Sequence, residues 1–397
     1  MKAKPGRSDA IPSAILPEDF TLLQVTPRLE AGGVEQATLD MAAAVARAGG
    51  RSLVASHGGR LENDLAQSGA RLIRLPAHSK NPLVMAGCAA RLAALIAREK
   101  VSLVHVRSRA PAFAVLLATR GTRVPMVATY HGIHGAGSPP KRWYNAAMTR
   151  GEMTIANSAF TRDHILAQHG LAAAKVVVVA EGIDTARFDP AAVAPARVAA
   201  VRAAWGLAPG DPRLVILLAA RLTDWKGQRL AVEALGRLPG RDNVVLILAG
   251  AGEGSPYAAS IEAAAAVTGI SDNVRLVGPC EDMPAAFLAA DLVIAPSTRA
   301  ESFGRSAVEA AAMGRPVLAS RLGALAETVV HGQTGWLAAA GDVDSWTAAI
   351  GTALGADART RAAMGAAARA RVERLYSLTA MCEATFAVYR RVLEGRT

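Results

Sequence analysis

The sequence predicts an α/β protein built as two doubly wound, Rossmann-like domains. Three observations predict it. Apolar runs of four to seven residues alternate with longer Ala-rich helical patterns along nearly the whole chain. The alternation restarts after a stretch rich in Pro, Gly and Asp, residues 181–212. The length of 397 residues exceeds one ordinary core but suits two domains of about 180 to 200 residues each.

In the first series FTLLQVT (20–26) leads into a helical pattern from Val34 to Ala48. SLVAS (52–56), RLIRL (71–75), SLVHV (102–106), PMVATY (125–130), MTIAN (153–157) and KVVVV (175–179) follow, each closed by a turn signal. The second series reads RLVILLA (213–219), NVVLILAG (243–250), VRLVG (274–278), DLVIAP (291–296) and RPVLAS (315–320). Continuous apolar strands alternating with helices belong to parallel sheets covered on both faces. The expected division is a mobile tail over 1–17, a first domain over 18–188 and a second over 189–376. The joint is expected near 185–195, although VRAAW (201–205) beyond it reads as helix. Ligands of open parallel sheets bind beyond the carboxyl ends of the strands. Two such domains facing each other across a cleft would hold a substrate between their strand-end loops.

Composition narrows the class. Half the residues are hydrophobic but only 4% are aromatic, so the cores are built from Ala, Val and Leu. Cys88, Cys280 and Cys382 are far apart, odd in number and without metal spacing, as expected of thiols in a reducing compartment. The first 20 residues lack the ~7 to 15 residue apolar core of a secretory signal. No apolar run reaches the ~18 to 20 residues of a membrane span. The expectation is a cytoplasmic protein. The net charge of +11 is uneven: residues 1–190 carry 23 Lys+Arg against 14 Asp+Glu, and the remainder 21 against 19. A basic first half suits an acidic partner such as a phosphorylated substrate or an anionic lipid. An arginine-rich genome scattering its arginines gives the same count. Nucleic acid is not expected, because no basic residues interleave with aromatics.

The strand-end loops hold the candidate site. After the first strand, Gly32-Gly33 precede a helix, where close backbone approach and free N–H groups suit an anion. A strand–helix turn needing glycine only for its shape explains them too. After strand 213–219 come Arg221 and Lys226, a planar fork and a mobile point charge that could clamp a diphosphate. A solvated pair flanking a turn is the plainer account. After DLVIAP, STRAESFG (297–304) forms a loop and a helix begins near Arg305, with Gly314 and Pro316 ending it. Amides of Phe303, Gly304 and Arg305 would be free there and favour an anion. Glu301 in the loop and Glu309 in the helix are carboxylates suited to paired sugar hydroxyls. An exposed helix face would equally accommodate Glu309.

Other motifs carry less. Asp342 and Asp344 resemble a metal pair but precede a helix, where capping explains them. AGAGEG (249–254) lacks the glycine and the distant acid of a dinucleotide fingerprint. His57, His78, His105, His164 and His169 are scattered without ligand spacing and read as structural or surface residues. No nucleophile arrangement for covalent catalysis is present.

Together these residues resemble family 4 of the retaining glycosyltransferases, over residues 20 to 390. The E-x7-E arrangement ESFGRSAVE (301–309) carries most of the resemblance, supported by GGVE (32–35), ARLTDWKG (220–227) and HGQTGWL (331–337). The resemblance implies the two-domain GT-B fold, with an acceptor-binding first domain and a nucleotide-sugar-binding second. A C-terminal helix over 377–397 would cross back to the first domain. It implies that Arg221 and Lys226 bind the donor diphosphate and that Glu309 holds the ribose hydroxyls. Glu301, with Ser302 and the Phe303–Gly304 backbone, would hold the transferred sugar. His131, in TYHGIHG (129–135), would reach the donor sugar, and Gly32 and Gly33 form the loop near donor and acceptor. His131, Arg221, Lys226 and Glu301 are thus the catalytic candidates.

No metal or cofactor is implied, the nucleotide-sugar being a co-substrate. Retention by front-face attack, assisted by the departing phosphate oxygen, is likewise implied by the resemblance. Residues 141–165 resemble enzymes building lipopolysaccharide or other surface glycans. The implied partner is then a glycan or lipid-linked acceptor, with peripheral contact at the anionic cytoplasmic face of the inner membrane. Two departures stand out: Glu181 where the family usually carries Asn, and Gly323-Ala324 where two glycines are common. A nucleotide-sugar epimerase of related fold, or a non-catalytic sugar-nucleotide-binding protein, are the alternatives. Neither accounts for both E-x7-E and the retained His131.

Overall fold

The computed structural model describes residues 16–30, 32–133, 135 and 137–395. The expected tail over 1–17 falls outside the described residues for all but its last two. The chain divides into two compact units, one of residues 1–182 with 378–397 and one of residues 183–377.

The first unit holds a seven-stranded sheet. Its strands are β1 (Thr21–Val25), β2 (Arg51–Ser56), β3 (Arg71–Arg74), β4 (Leu103–Val106), β5 (Met126–Tyr130), β6 (Met153–Ala156) and β7 (Val176–Val178). All pair in parallel, in the order β3-β2-β1-β4-β5-β6-β7. The apolar runs are continuous because both faces are covered. Leu23, Val104, Val106 and Ala128 pack on one side with Leu92, Leu95 and Ile96 of helix Pro82–Arg98. Leu22, Leu103, Val127 and Ile155 pack on the other.

That second face is closed by the chain's last helix, Leu378–Glu394. Its buried side chains Met381, Cys382, Phe386, Tyr389 and Val392 recur at helical spacing and meet Phe20, Met41 and Val45. Tyr389 also keys the helix in place through His105, whose Nδ1 lies 2.6 Å from the phenol and whose Nε2 lies 2.7 Å from Thr129 Oγ1. Complete burial pushes His105 well below its ordinary value, so the ring is a neutral bridge between two hydroxyls.

The second unit holds a six-stranded parallel sheet. Its strands are β8 (Leu214–Ala219), β9 (Val244–Ala249), β10 (Val274–Leu276), β11 (Leu292–Ala295), β12 (Val317–Ser320) and β13 (Gly335–Ala338). The order is β10-β9-β8-β11-β12-β13. β13, which begins within HGQTGWL, is four residues starting at a glycine and too short to stand out as an apolar run. The division between units falls after Gly182 rather than at 188. Residues 183–188 belong to the second unit because Ile183 N–H donates to Tyr376 O at 2.7 Å and Phe188 packs on Phe287. The stretch read as a linker contains helix Pro195–Ala204, followed by buried Trp205. Asp342 caps helix Val343–Gly355 by accepting from Ser345 N–H at 3.0 Å, while Asp344 pairs with Arg237 at 2.6 Å.

Candidate active site

In the second unit β8 and β11 are neighbours, with Ile216 opposite Leu292, where the strand order reverses. Reversal points open a crevice beyond the strand ends. The two loops leaving this crevice are joined by backbone: Thr298 N–H donates to Trp225 O at 2.8 Å. Gly227 allows the approach. It has φ +75°, and a Cβ there would sit 2.0 Å from Pro296 O. No other residue type fits both the dihedral and the space.

This junction brings Lys226 and Glu301 together. Lys226 Nζ lies 2.8 Å from Glu301 Oε1, and their side chains are only 16% and 12% exposed. The buried Ser297 hydroxyl donates to the same carboxylate oxygen. Lys226 also rests 4.4 Å from the centre of the Trp225 ring, a cation over an aromatic face. Arg221, in the same loop, is exposed, and among the described residues its guanidinium has no hydrogen-bond or ion-pair partner.

A second prop acts on Glu301 from behind. Its carbonyl accepts from Ala324 N–H at 3.0 Å, and Glu301 bridges Gly323. Gly323 has φ +60°, with a Cβ there only 2.7 Å from Glu301 O. Ala324 lies in ordinary helical backbone at φ −69° and is buried. Only the first position of that pair needs glycine, which is why Gly-Ala suffices.

Helix Arg305–Ala312 starts directly after this loop. Gly304, at φ +82°, is its N-cap; Ala307 N–H donates to its carbonyl at 3.0 Å, and among the described residues the amides of Arg305 and Ser306 are left for an anion. Phe303 is buried edge-on to Tyr376 at 5.7 Å and fixes the loop's course, with Ser302 half-buried beside it. Glu309 is 15% exposed, and one turn away Arg305 Nε lies 2.9 Å from its Oε1. It is thus a half-buried, oriented carboxylate rather than a solvated one.

The first unit supplies the other candidates. Gly32 is the N-cap of helix Gly33–Arg47 at φ +149°. A Cβ on Gly33 would stand 3.3 Å from Glu181 Oε2, tight against a carboxylate. That carboxylate ties the loop to His131, whose Nδ1 lies 3.2 Å from Glu181 Oε1. Asn157 Nδ2 donates to the same oxygen at 3.0 Å. On the other side of the ring Arg107 Nη1 approaches His131 Nε2 at 3.3 Å, and Arg107 Nε donates to Gln24 Oε1 at 2.9 Å. Burial lowers the Arg107 value, but guanidinium offers only donors. His131 Nε2 must therefore accept, and Nδ1 carries the proton toward Glu181.

Arg107, Gln24 and Asn157 are not legible as site residues, because each contact joins segments distant in sequence, whereas Ser297 lies only four residues before Glu301 and reads there as an ordinary loop serine. The Glu181 departure was visible, and its partner was not. Among the described residues no three His, Cys, Asp or Glu side chains gather as a metal site would need.

Comparison with known proteins matches both halves. The family described as "Glycosyltransferase Family 4" covers residues 31–187, and "Glycosyl transferases group 1" covers 204–371. A GDP-mannose-dependent alpha-(1-6)-phosphatidylinositol monomannoside mannosyltransferase of Mycolicibacterium smegmatis is 34% identical over 295 residues, 70% of this chain and 74% of that protein. A D-inositol 3-phosphate glycosyltransferase of Nocardia farcinica is 37% identical over 190 residues, 46% of this chain; the chain spans 40% of that relative's length. The crystal structure of a glycosyltransferase from Rickettsia africae superposes with a TM-score of 0.88 at 28% identity, covering 95% of this chain and all of the other.

Proposed function

The chain belongs to the glycosyltransferases that carry these two family halves, and on that premise we propose that it moves a sugar from a nucleotide-sugar donor to a glycan or lipid-linked acceptor. The observation that carries the reading is the Lys226–Glu301 pair at the β8/β11 reversal, in the same loop as Arg221, whose guanidinium has no partner among the described residues. Breaking a sugar–phosphate bond places negative charge on the leaving diphosphate. Arg221, Lys226 and the first-turn amides after Gly304 are preorganised for that charge. When a diphosphate takes the Lys226 ammonium, Glu301 is released to accept from sugar hydroxyls, with Ser297 still donating to its Oε1. Glu309, oriented by Arg305, accepts from the ribose.

His131 takes part as a donor-sugar contact whose tautomer Glu181 sets, with Gly32 and Gly33 forming the adjacent backbone. Front-face attack with retention, and without a metal, is the mechanism that the family resemblance implies. The acceptor is assigned to the first unit, whose basic excess suits an acidic molecule, and phosphate-bearing acceptors appear in the names of both relatives. Surface-glycan synthesis, lipopolysaccharide included, is the setting proposed, at the cytoplasmic face of a membrane. No described helix is long and apolar enough to cross one.

The test is the thermal shift of the protein against UDP, GDP, ADP and their sugar conjugates. A nucleotide at 100 times its dissociation constant adds roughly 2.7 kcal/mol of stability. One nucleotide series should stabilise the protein and support transfer in the presence of a chelator. Absence of any shift at millimolar nucleotide would remove the donor site and the reading with it.

A further inference from the structure

Two imidazoles that look unrelated in sequence meet at the carboxyl end of the first sheet, with Arg28 on the neighbouring loop. β1, β2 and β3 are adjacent and parallel, with Val25 opposite Ala55 and Ser56 opposite Arg74. Beyond them the loops stay zipped: His57 N–H donates to Pro27 O at 3.2 Å, Leu29 N–H to Gly58 O at 3.0 Å and Leu75 N–H to Ser56 O at 2.9 Å. These bonds set Arg28, His57 and His78 on one rim. The imidazoles of His57 and His78 touch edge to face, with centres 4.3 Å apart.

The three side chains share a second property. Among the described residues, none of the three has a hydrogen-bond or ion-pair partner, and His78 Nδ1 is buried without one. Buried polar atoms are normally satisfied. Burial first, then the charges of His57 and Arg28, push His78 below its ordinary value, so the groups oppose one another's charge. The acids of these loops stand elsewhere. Glu62 is held by Arg74 and accepts from Gly59 N–H at 2.9 Å, and Glu30 stands over Gly59. A cluster of donors that repel one another and lack acceptors is incomplete without an anion.

We infer that Arg28, His57 and His78 form a subsite for a phosphate group on the acceptor. The guanidinium offers a two-pronged fork to two phosphate oxygens, and each imidazole offers one N–H to the rest. Arg28 lies in the same loop as Gly32, in the unit to which the acceptor is assigned. The inference rests on the transferase reading, and it fixes the class of acceptor as a phosphate ester.

The test follows the imidazole resonances of His57 and His78 by NMR while inorganic phosphate is added, with sodium chloride at matched ionic strength as control. Phosphate should move both rings together and saturably at millimolar concentration. Arg28→Gln and His57→Gln, both at exposed positions, should weaken that binding about tenfold. Rings that stay still, or move equally with chloride, would overturn the subsite. Vesicles of phosphatidylcholine with and without phosphatidylinositol separate the sources. Capture only by the inositol lipid, competed by phosphate, assigns a lipid headgroup; no capture alongside phosphate binding assigns a soluble phosphate ester. The nucleotide shift of the unmodified protein reads the transferase assignment separately. If it is present while phosphate leaves the rings unmoved, only the subsite fails.

Discussion

His131 Nδ1 lies 3.2 Å from Glu181 Oε1, and Arg107 stands at the ring's other nitrogen. The imidazole is therefore held from both sides in one tautomer, at a strand end where a freely rotating ring would have several. A buried acceptor removed from such a network leaves its donors unsatisfied, at about 1–3 kcal/mol. Glu181→Ala should lower stability by that amount in chemical denaturation. Glu181→Gln keeps an oxygen for both His131 and Asn157 and should remain within about 1 kcal/mol, while turnover falls with little change in donor KM. Equal stability of all three proteins would remove the network's structural role.

Lys226 and Glu301 should be tested apart. Lys226→Ala removes a cation aimed at developing phosphate charge, and such losses typically cost ~10²–10³ in rate. The loss should appear in kcat. Lys226→Arg should recover little of it, because the fork does not match a point charge seated over Trp225 and against Glu301. Full activity in Lys226→Ala would show that the pair is only structural.

Glu309 should distinguish nucleotides from inorganic diphosphate. Its carboxylate is assigned to ribose, so Glu309→Ala should abolish most of the thermal shift given by the preferred nucleotide. The loss expected for charge-assisted bonds is about 1.5–3 kcal/mol. The shift given by pyrophosphate alone should survive, since Arg221 and Lys226 remain. If both shifts vanish together, Glu309 supports the helix start rather than the ribose.

Gly227 offers a backbone prediction. Gly227→Ala places a Cβ 2.0 Å from Pro296 O at φ +75°, whereas Gly254→Ala has a similar φ of +70° and open space around it. The left-handed conformation alone costs about 1–2 kcal/mol. The substitution at 227 should cost at least twice that at 254 in thermal denaturation, and it should also weaken nucleotide binding. Equal costs would mean that the two loops do not need their close approach.

Much of this architecture is legible because parallel strands buried on both faces advertise themselves as apolar runs. The E-x7-E pair is legible for a related reason, since both acids flank one helix start and keep their spacing. Other contacts are invisible for the opposite reason. His57 and His78 look like scattered histidines until β2 and β3 pair in register, and Glu181 finds His131 only after β5 and the segment beyond β7 are neighbours. β13 hides because four residues beginning at Gly335 offer no run to see.

The closing helix has a consequence for how the protein is made. A ribosome that has reached residue 377 has delivered every strand of the first sheet, yet Phe20, Leu22, Met41 and Val45 still lack the side chains of Leu378–Glu394. The first sheet thus waits for a helix that follows the whole second unit before this apolar face is covered. Nascent chains stalled before Leu378 should be held by chaperones and cut readily by proteases within the first 182 residues, with the second unit already resistant.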